Sequence, residues 1–314
     1  MIVTLTANPS LDRAVTLAEP LRPGEVQTAQ SVREDAGGKG INVTRVLLGS
    51  GQDSVAVLPL DADDQFAVVL RAAGVPLRPV AAHGAARANL TIADPSGVTT
   101  KINLPGVTRS REDGDALIAA VAAAAAGARW LVLAGSLPPG LPDDFYVDVI
   151  RAVRANADAP RIAVDTSGAA LRAVVAAGAP DLIKPNDDEL VELTGAPLDA
   201  SIPLPQAVAA AGRALVPDRV GAAFVTLGGA GAVLVTPDGA WQGTPPPTRV
   251  RSTVGAGDSS LAGFLLAEAS GGEPEECLRS GIRYGSAAAA LPGTQAPTPA
   301  DLLPGDVPVS ALTH

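Results

Sequence analysis

Short apolar runs alternate with longer helix-like runs along most of this chain, and that alternation constrains the fold more than any other feature. The strand-like runs are Ile2 to Ala7, Val55 to Leu60, Trp130 to Ala134, Ile162 to Asp165, Leu182 to Lys184 and Ala222 to Leu227. Helix-like runs cover Asp64 to Ala73, Ala116 to Ala126, Asp143 to Ala155, Ala169 to Ala177 and Ser259 to Ala269. Continuously apolar strands separated by helices form a parallel sheet with helices on both faces, joined by right-handed crossovers. The expected fold class is therefore α/β, a three-layer α/β/α arrangement around a mostly parallel central sheet. No linker long enough to divide the 314 residues is present, so residues 1–314 read as a single domain.

Two regions break the rhythm. Ala14 to Glu34 and Arg87 to Asn103 alternate apolar with polar residues and contain turn signals, Arg22-Pro23-Gly24 and Asp94-Pro95-Ser96-Gly97. They read as antiparallel strands outside the main sheet: a small β lid, a dimer surface, or both. The tail from Pro292 to His314 is Pro-rich and is expected to wrap the surface.

Composition narrows the function. Hydrophobic residues make up 47% but aromatics 3%, so the core must be mostly Ala, Val and Leu. A net charge of −10 speaks against a basic nucleic-acid-binding face. The single cysteine, Cys277, excludes an internal disulfide or a thiolate metal cluster, and His83 and His314 make no zinc site by themselves. Between Ala116 and Leu137 the one charge is Arg129, but the run is Ala-rich and broken at Gly127, which suits a helix followed by a buried strand better than a membrane span. The N-terminus reads directly as a strand without a basic leader, and a cytoplasmic location is expected.

Chemistry concentrates at strand ends, where open α/β sheets bind ligands. Ser252-Thr253-Val254-Gly255-Ala256-Gly257-Asp258 opens a helix-like run. Its glycines let backbone N–H groups converge at a helix N-terminus, which suits an anion. Asp258 then reads as a base for a hydroxyl attacking a phosphoryl group, or as an acid of the first helical turn. Gly37-Gly38-Lys39-Gly40-Ile41-Asn42 places a mobile cation at another helix start without matching a Walker A loop. Asp12, in Asn8-Pro9-Ser10-Leu11-Asp12, suits sugar hydroxyls or ends a turn. Arg87 and Asn89 share one strand face, as do Lys101 and Asn103; such cations hold a substrate phosphate or guard a sheet edge. Asn186 and Glu189, in Lys184-Pro185-Asn186-Asp187-Asp188-Glu189, share a helix face and suit either waters around Mg²⁺ or a capping box. Thr226-Leu227-Gly228-Gly229-Ala230-Gly231 admits a nucleotide or turns a hairpin. Gly135-Ser136-Leu137-Pro138-Pro139-Gly140 lacks the pattern around a nucleophilic serine.

Taken in order, these motifs resemble the ribokinase-like carbohydrate kinases of the PfkB family over nearly the whole length. The carriers are Gly-Gly-Lys-Gly-Ile-Asn, Gly-Ser-Leu-Pro-Pro-Gly, Lys-Pro-Asn-x-x-Glu and Thr-Val-Gly-Ala-Gly-Asp. The resemblance implies a ribokinase-like fold, ATP and Mg²⁺ as cofactors, and a homodimer formed through the lid. It implies Asp258 as base, with Gly255, Ala256 and Gly257 as the anion hole. Asp12, Gly38, Lys39, Asn42, Arg87, Lys101 and Ser136 would line the sugar-phosphate site. Lys184, Asn186 and Glu189 would serve the ATP phosphates and Mg²⁺, the last two through water. Thr226, Gly228, Gly231 and Ser252 would border the nucleotide, with Gly285 to Ala289 near the adenine. Asn8 to Asp12 and Thr100 to Asn103 look like the sugar-phosphate branch, which implies phosphorylation of fructose 1-phosphate to fructose 1,6-bisphosphate. Tagatose 6-phosphate and fructose 6-phosphate are rival substrates, and Lys39 speaks modestly against the latter. An NAD-dependent oxidoreductase would need Gly-x-Gly-x-x-Gly after the first strand, where Asn8-Pro9-Ser10 stands. The intact Asp258 speaks against a non-catalytic sugar-phosphate sensor.

Overall fold

The computed structural model describes residues 1–96 and 98–312; Gly97 of the second lid turn and His314 lie outside the described residues. The chain begins β1 (Ile2–Leu5), β2 (Ser10–Leu17), β3 (Ala29–Gly37), α1 (Lys39–Gly49), β4 (Ser54–Leu60), α2 (Gln65–Ala72), β5 (Leu77–Ala81), β6 (Arg87–Ala93) and β7 (Thr99–Asn103). It continues α3 (Arg111–Ala125), β8 (Trp130–Ala134), α4 (Phe145–Arg154), β9 (Arg161–Asp165), α5 (Gly168–Ala177), β10 (Leu182–Ile183), α6 (Asp187–Thr194) and α7 (Leu204–Arg213). The last elements are β11 (Ala223–Thr226), β12 (Ala232–Thr236), β13 (Gly239–Gly243), α8 (Ala256–Ala269), α9 (Pro274–Ala290) and β14 (Val309–Ala311).

Ten strands form the main sheet in the order β14-β13-β12-β11-β10-β9-β8-β1-β4-β5. Pairing is parallel from β5 across to β11 and antiparallel from β11 through β14. Strand alternation divides the core into two faces. Leu131 and Leu133 of β8 join the apolar layer under α3 to α7, while Trp130, Val132 and Ala134 join the layer under α1, α8 and α9. This is the expected three-layer α/β/α fold. With few aromatic rings, the second layer gains density from close helix approach: a Cβ added at Gly263 of α8 would fall 2.6 Å from the Ser280 carbonyl oxygen of α9.

The second sheet has the order β3-β2-β6-β7 and is the anticipated lid. It differs from the sequence expectation in one pairing: β2 and β6 run parallel, with Ser10 opposite Arg87 and Asp12 opposite Asn89. Both strands leave the body where main-sheet strands end, β2 after β1 and β6 after β5, so they travel the same way. The lid strands also reach further than the alternation suggested, because β2 starts at Ser10 and β3 runs on to Gly37. The tail is not a surface wrap throughout. Val307 is fully buried, and β14 pairs with β13 as the outermost strand, satisfying the outward backbone groups of β13. Among the described residues no helix is long and apolar enough to cross a membrane.

Candidate active site

Gly255 ends the loop into α8 with φ of 76°, a left-handed conformation that glycine adopts without strain, and no side chain caps this helix. Its N-terminal amides are thus left for an anion. Ser252 turns the loop by accepting from the Val254 N–H at 3.2 Å. Asp258 lies in the first turn, and its carboxylate does not serve as a cap. It receives a hydrogen bond from Asn42 Nδ2 at 2.8 Å, across from α1. Burial pushes its carboxyl up to about 6 and Asp165 adds repulsion, while Lys39, Asn42 and Lys184 pull it back. A base with an affinity near the working pH fits proton abstraction.

Asp165, at the carboxyl end of β9, was not singled out in the sequence as a site residue. Its side chain is 1% exposed and binds two lysines. Lys39 Nζ donates to Oδ1 at 2.6 Å; Lys184 Nζ lies 3.1 Å from Oδ2 as an ion pair without hydrogen-bond alignment. Burial opposes ionisation of Asp165, but the two ammonium groups outweigh it and hold the carboxyl below its ordinary range. Burial likewise opposes the charge on Lys39, and Asp165, Asp258 and Glu189 overcome it, leaving this lysine firmly protonated. Lys184 also meets the anion hole, since a Cβ at Gly257 would fall 3.2 Å from its Nζ. The signal for Asp165 was in the sequence: an acid ending an apolar strand of a parallel sheet.

The base of the lid supplies the second wall. Ser10 Oγ donates to Asp12 Oδ1 at 2.8 Å, and Asn89 Nδ2 donates to the same oxygen at 2.9 Å. Burial raises the Asp12 carboxyl against the pull of those bonds and of Arg87. Gly37 lies hard against this carboxylate, leaving no room for a side chain. Arg87 donates to the Leu104 carbonyl at 3.1 Å, while its Nε is buried without a partner. Lys101 is exposed; the register puts it opposite Thr91, hence on the same face as Arg87. At Gly38, φ is 129° and a Cβ would fall 2.6 Å from the Thr6 methyl. Thr6 Oγ1 in turn accepts from the Ile41 N–H at 3.2 Å, supplying the α1 cap that a glycine cannot. Ser136 is exposed, and its hydroxyl accepts from Asn8 Nδ2 at 3.3 Å.

Beside the anion hole opens a cleft of about 640 Å³. Its lining includes Thr226, Gly228, Gly231 and Gly285, from the segments expected at the nucleotide, together with Asn186 and Gly257, expected at its phosphates and at the anion hole. Ser252 does not line this cleft, although its neighbour Thr253 does. Residues 228–230 also turn the chain between the antiparallel strands β11 and β12, so turn and lining readings hold together. Gly231 packs directly on the Gly243 carbonyl oxygen. The capping box forms as well: Asn186 Oδ1 accepts from the Glu189 N–H at 2.7 Å, and Glu189 Oε2 from the Asn186 N–H at 2.9 Å. This occupies one oxygen of Glu189, whose charge still acts on Lys39. Among the described residues no three His, Cys, Asp or Glu side chains converge to hold a metal by themselves. A hard cation that keeps its waters and is carried on nucleotide phosphates fits this better, and the buried Asp165 Oδ2, without a hydrogen-bond partner, and Glu189 are suitable anchors.

A buried carboxylate beside an uncapped helix N-terminus, two lysines clustered on Asp165 and a polar lid come together on a three-layer α/β/α frame, an arrangement suited to phosphoryl transfer. The chain belongs to the pfkB family carbohydrate kinases, whose pattern matches residues 6–301. It is 36% identical over 286 residues to a 1-phosphofructokinase of Xanthomonas campestris pv. campestris, covering 88% of this chain and 87% of the relative. It is 34% identical over 298 residues to the ATP-dependent 6-phosphofructokinase isozyme 2 of Escherichia coli, covering 94% of each. Among solved structures, the tetrameric inhibited form of phosphofructokinase-2 from Escherichia coli superposes with a TM-score of 0.84 at 32% identity, covering 93% of this chain and 95% of that one. The ribokinase-like fold, and with it a sugar-phosphate kinase of this family, stands on these likenesses.

Proposed function

We propose that this kinase transfers the terminal phosphoryl group of ATP to fructose 1-phosphate, giving fructose 1,6-bisphosphate and ADP. The observation that carries the reading is the place of Asp258. It is buried in the first turn of an uncapped helix, next to Gly257 of the cleft lining, and accepts from Asn42 of α1. Asp258 takes the proton from the attacking hydroxyl, and the amides at Gly255, Ala256 and Gly257 meet charge developing on the phosphoryl oxygens. Lys39 and Lys184, held by Asp165, stand ready on the phosphate path. Mg²⁺, held through water by Asp165, Asn186 and Glu189, would neutralise ATP phosphate charge. Asp12 and Asn42 orient sugar hydroxyls, Ser136 borders the sugar, and Arg87 and Lys101 hold the substrate's own phosphate. Thr226, Gly228 and Gly231 flank the nucleotide.

Likeness to a 1-phosphofructokinase and the Asn8 to Asp12 and Thr100 to Asn103 segments favour the 1-phosphate. The similar identity to a 6-phosphofructokinase keeps fructose 6-phosphate as the competing reading, with tagatose 6-phosphate beside it. A coupled ADP assay over the three sugar phosphates decides: the highest kcat/KM is expected with fructose 1-phosphate, and a preference for either 6-phosphate rejects the assignment.

The lid also suits self-association. Its outer face carries Val15, Val32, Leu90, Ile92 and Ile102, of which Val32 is 58% and Ile102 48% exposed. A second copy covering this face through a two-fold axis would bury these side chains in a homodimer. A reaction on ATP and a metabolite fits the cytoplasmic location expected from the sequence.

A further inference from the structure

Four chain segments connect the lid to the body: residues 6–9, residue 38, residues 82–86 and residues 104–110. One side chain, Asn8 of the first segment, bonds both the last segment and the body loop after β8. Asn8, 7% exposed, donates through Nδ2 to the Pro105 carbonyl at 3.3 Å, the Ser136 hydroxyl at 3.3 Å and the Leu137 carbonyl at 3.5 Å. The first partner belongs to the segment returning from β7, and the other two to the body loop after β8. The opposite end of the amide lies against Gly106, whose φ is 95°: Asn8 Oδ1 occupies the space that a Cβ there would need. Next to Asn8, Pro9 packs on Gly38, where a Cβ would fall 3.6 Å from the Pro9 α-carbon. The remaining segment joins through Arg109, whose Nη1 donates to the His83 carbonyl at 2.9 Å.

We propose that Asn8 is a positioning residue that couples the lid to the sugar-site loop, so that the lid's seating sets the position of Ser136. This rests on the reading of the lid as the cover of a sugar-phosphate site. The amide is chemically suited: two of its contacts are carbonyl oxygens, which only a donor satisfies, and its oxygen faces a glycine with no side chain. A rotation of the lid about these segments moves Pro105 relative to Leu137, and Asn8 spans that gap. It touches neither the anion hole nor the nucleotide cleft, so its loss acts on closure rather than on chemistry. A lid that closes without seating the sugar admits water to ATP.

The test is Asn8→Asp, nearly isosteric but placing a carboxylate against two carbonyl oxygens, with Asn8→Ser and Gly106→Ala beside it. Circular dichroism and thermal melting select the folded variants. The expected result is a KM for the sugar phosphate raised at least about tenfold, with KM for ATP within about twofold of wild type. The ratio of sugar-independent ATP hydrolysis to phosphoryl transfer rises at least about fivefold, a readout that a uniformly weakened fold does not move. Sugar KM and hydrolysis ratio both at wild-type values in the folded variants overturn the proposal. Wild-type enzyme inert toward every sugar phosphate overturns the functional reading instead. Amide hydrogen exchange in β6 and β7, faster in Asn8→Ser than in wild type, then still reports whether Asn8 holds the lid; unchanged exchange overturns the coupling.

Discussion

Asn42 donates to Asp258 across 216 residues of sequence, one residue on α1 and the other on α8, at 2.8 Å. The bond joins the helix at the base of the lid to the helix that opens at Gly255, and in the proposed reaction it orients the Asp258 carboxylate as base. It also stabilises the carboxylate over the carboxylic acid. Turnover is therefore expected to fall on the acid side with an apparent value of about 6, set by Asp258. Replacing Asn42 with Ala removes the donor and moves that limb upward. A hydrogen bond to a charged group is worth about 1.5–3 kcal/mol, so activity at pH 6 should drop about tenfold relative to wild type. A pH profile of kcat that is identical in the two proteins would remove Asn42 from this role.

Asp258→Asn retains shape and loses the base. We expect kcat to fall by about a hundredfold or more while sugar-phosphate binding, read by calorimetry, persists. The stability sign is informative. Burial raises the folded Asp258 above the ordinary 3.8, so its contribution favours the fold at low pH and is lost as pH rises toward about 6. The variant should consequently melt at or above the wild-type temperature at pH 7. A large loss of stability there would mean that the charge is better compensated than Lys39, Lys184 and Asn42 suggest.

Asp165→Asn leaves Lys184, whose side chain is 6% exposed, without its anion. Removing one partner of a buried ion pair costs about 3 kcal/mol or more, here toward the low end because Lys39 is 38% exposed and can turn to solvent. The sign with pH is opposite to that of Asp258: the folded Asp165 is held low, so its stabilisation is present above the unfolded value and is lost as pH falls through the folded one. Because Asp165 repels the Asp258 charge, the acid limb of kcat should shift down in this variant. Denaturant melts at several pH values together with a rate profile check both effects.

Arg87 and Lys101 share the inner lid face but differ in setting. Arg87 is half-buried beside Asp12, and burial lowers its guanidinium while Asp12 opposes that. Lys101 is exposed at the lid edge. Arg87→Met should raise KM for the sugar phosphate by roughly ten- to a hundredfold, and Lys101→Met by roughly two- to fivefold, since solvent screens an exposed charge. Steady-state kinetics with varied sugar phosphate at saturating ATP separates them; equal effects would place both cations in one closed pocket.

Val32→Asp together with Ile102→Asp puts charge on the outer lid face. Sedimentation velocity should show a dimer in wild type and a monomer in the double variant. A wild-type monomer at tens of micromolar would assign that face to another purpose.

Local information in the chain determined a good deal. Trp130–Ala134 stands as a strand with the residues its apolar run suggested, and the order of glycine motifs named the family to which the chain belongs. Period and turn chemistry are properties of neighbouring residues, so they are readable before folding. What tertiary structure decided depends on distance in space. The parallel pairing of β2 with β6 follows from where both strands leave the body, and the pairing of β14 with β13 depends on the tail returning to the sheet, which no local pattern in the tail specifies. Asp165 gained its meaning when Lys39, 126 residues away, and Lys184 closed on it. The affinity of Asp258 for its proton was set likewise, by burial and by the charges of Asp165, Lys39 and Lys184, none of which its own segment encodes.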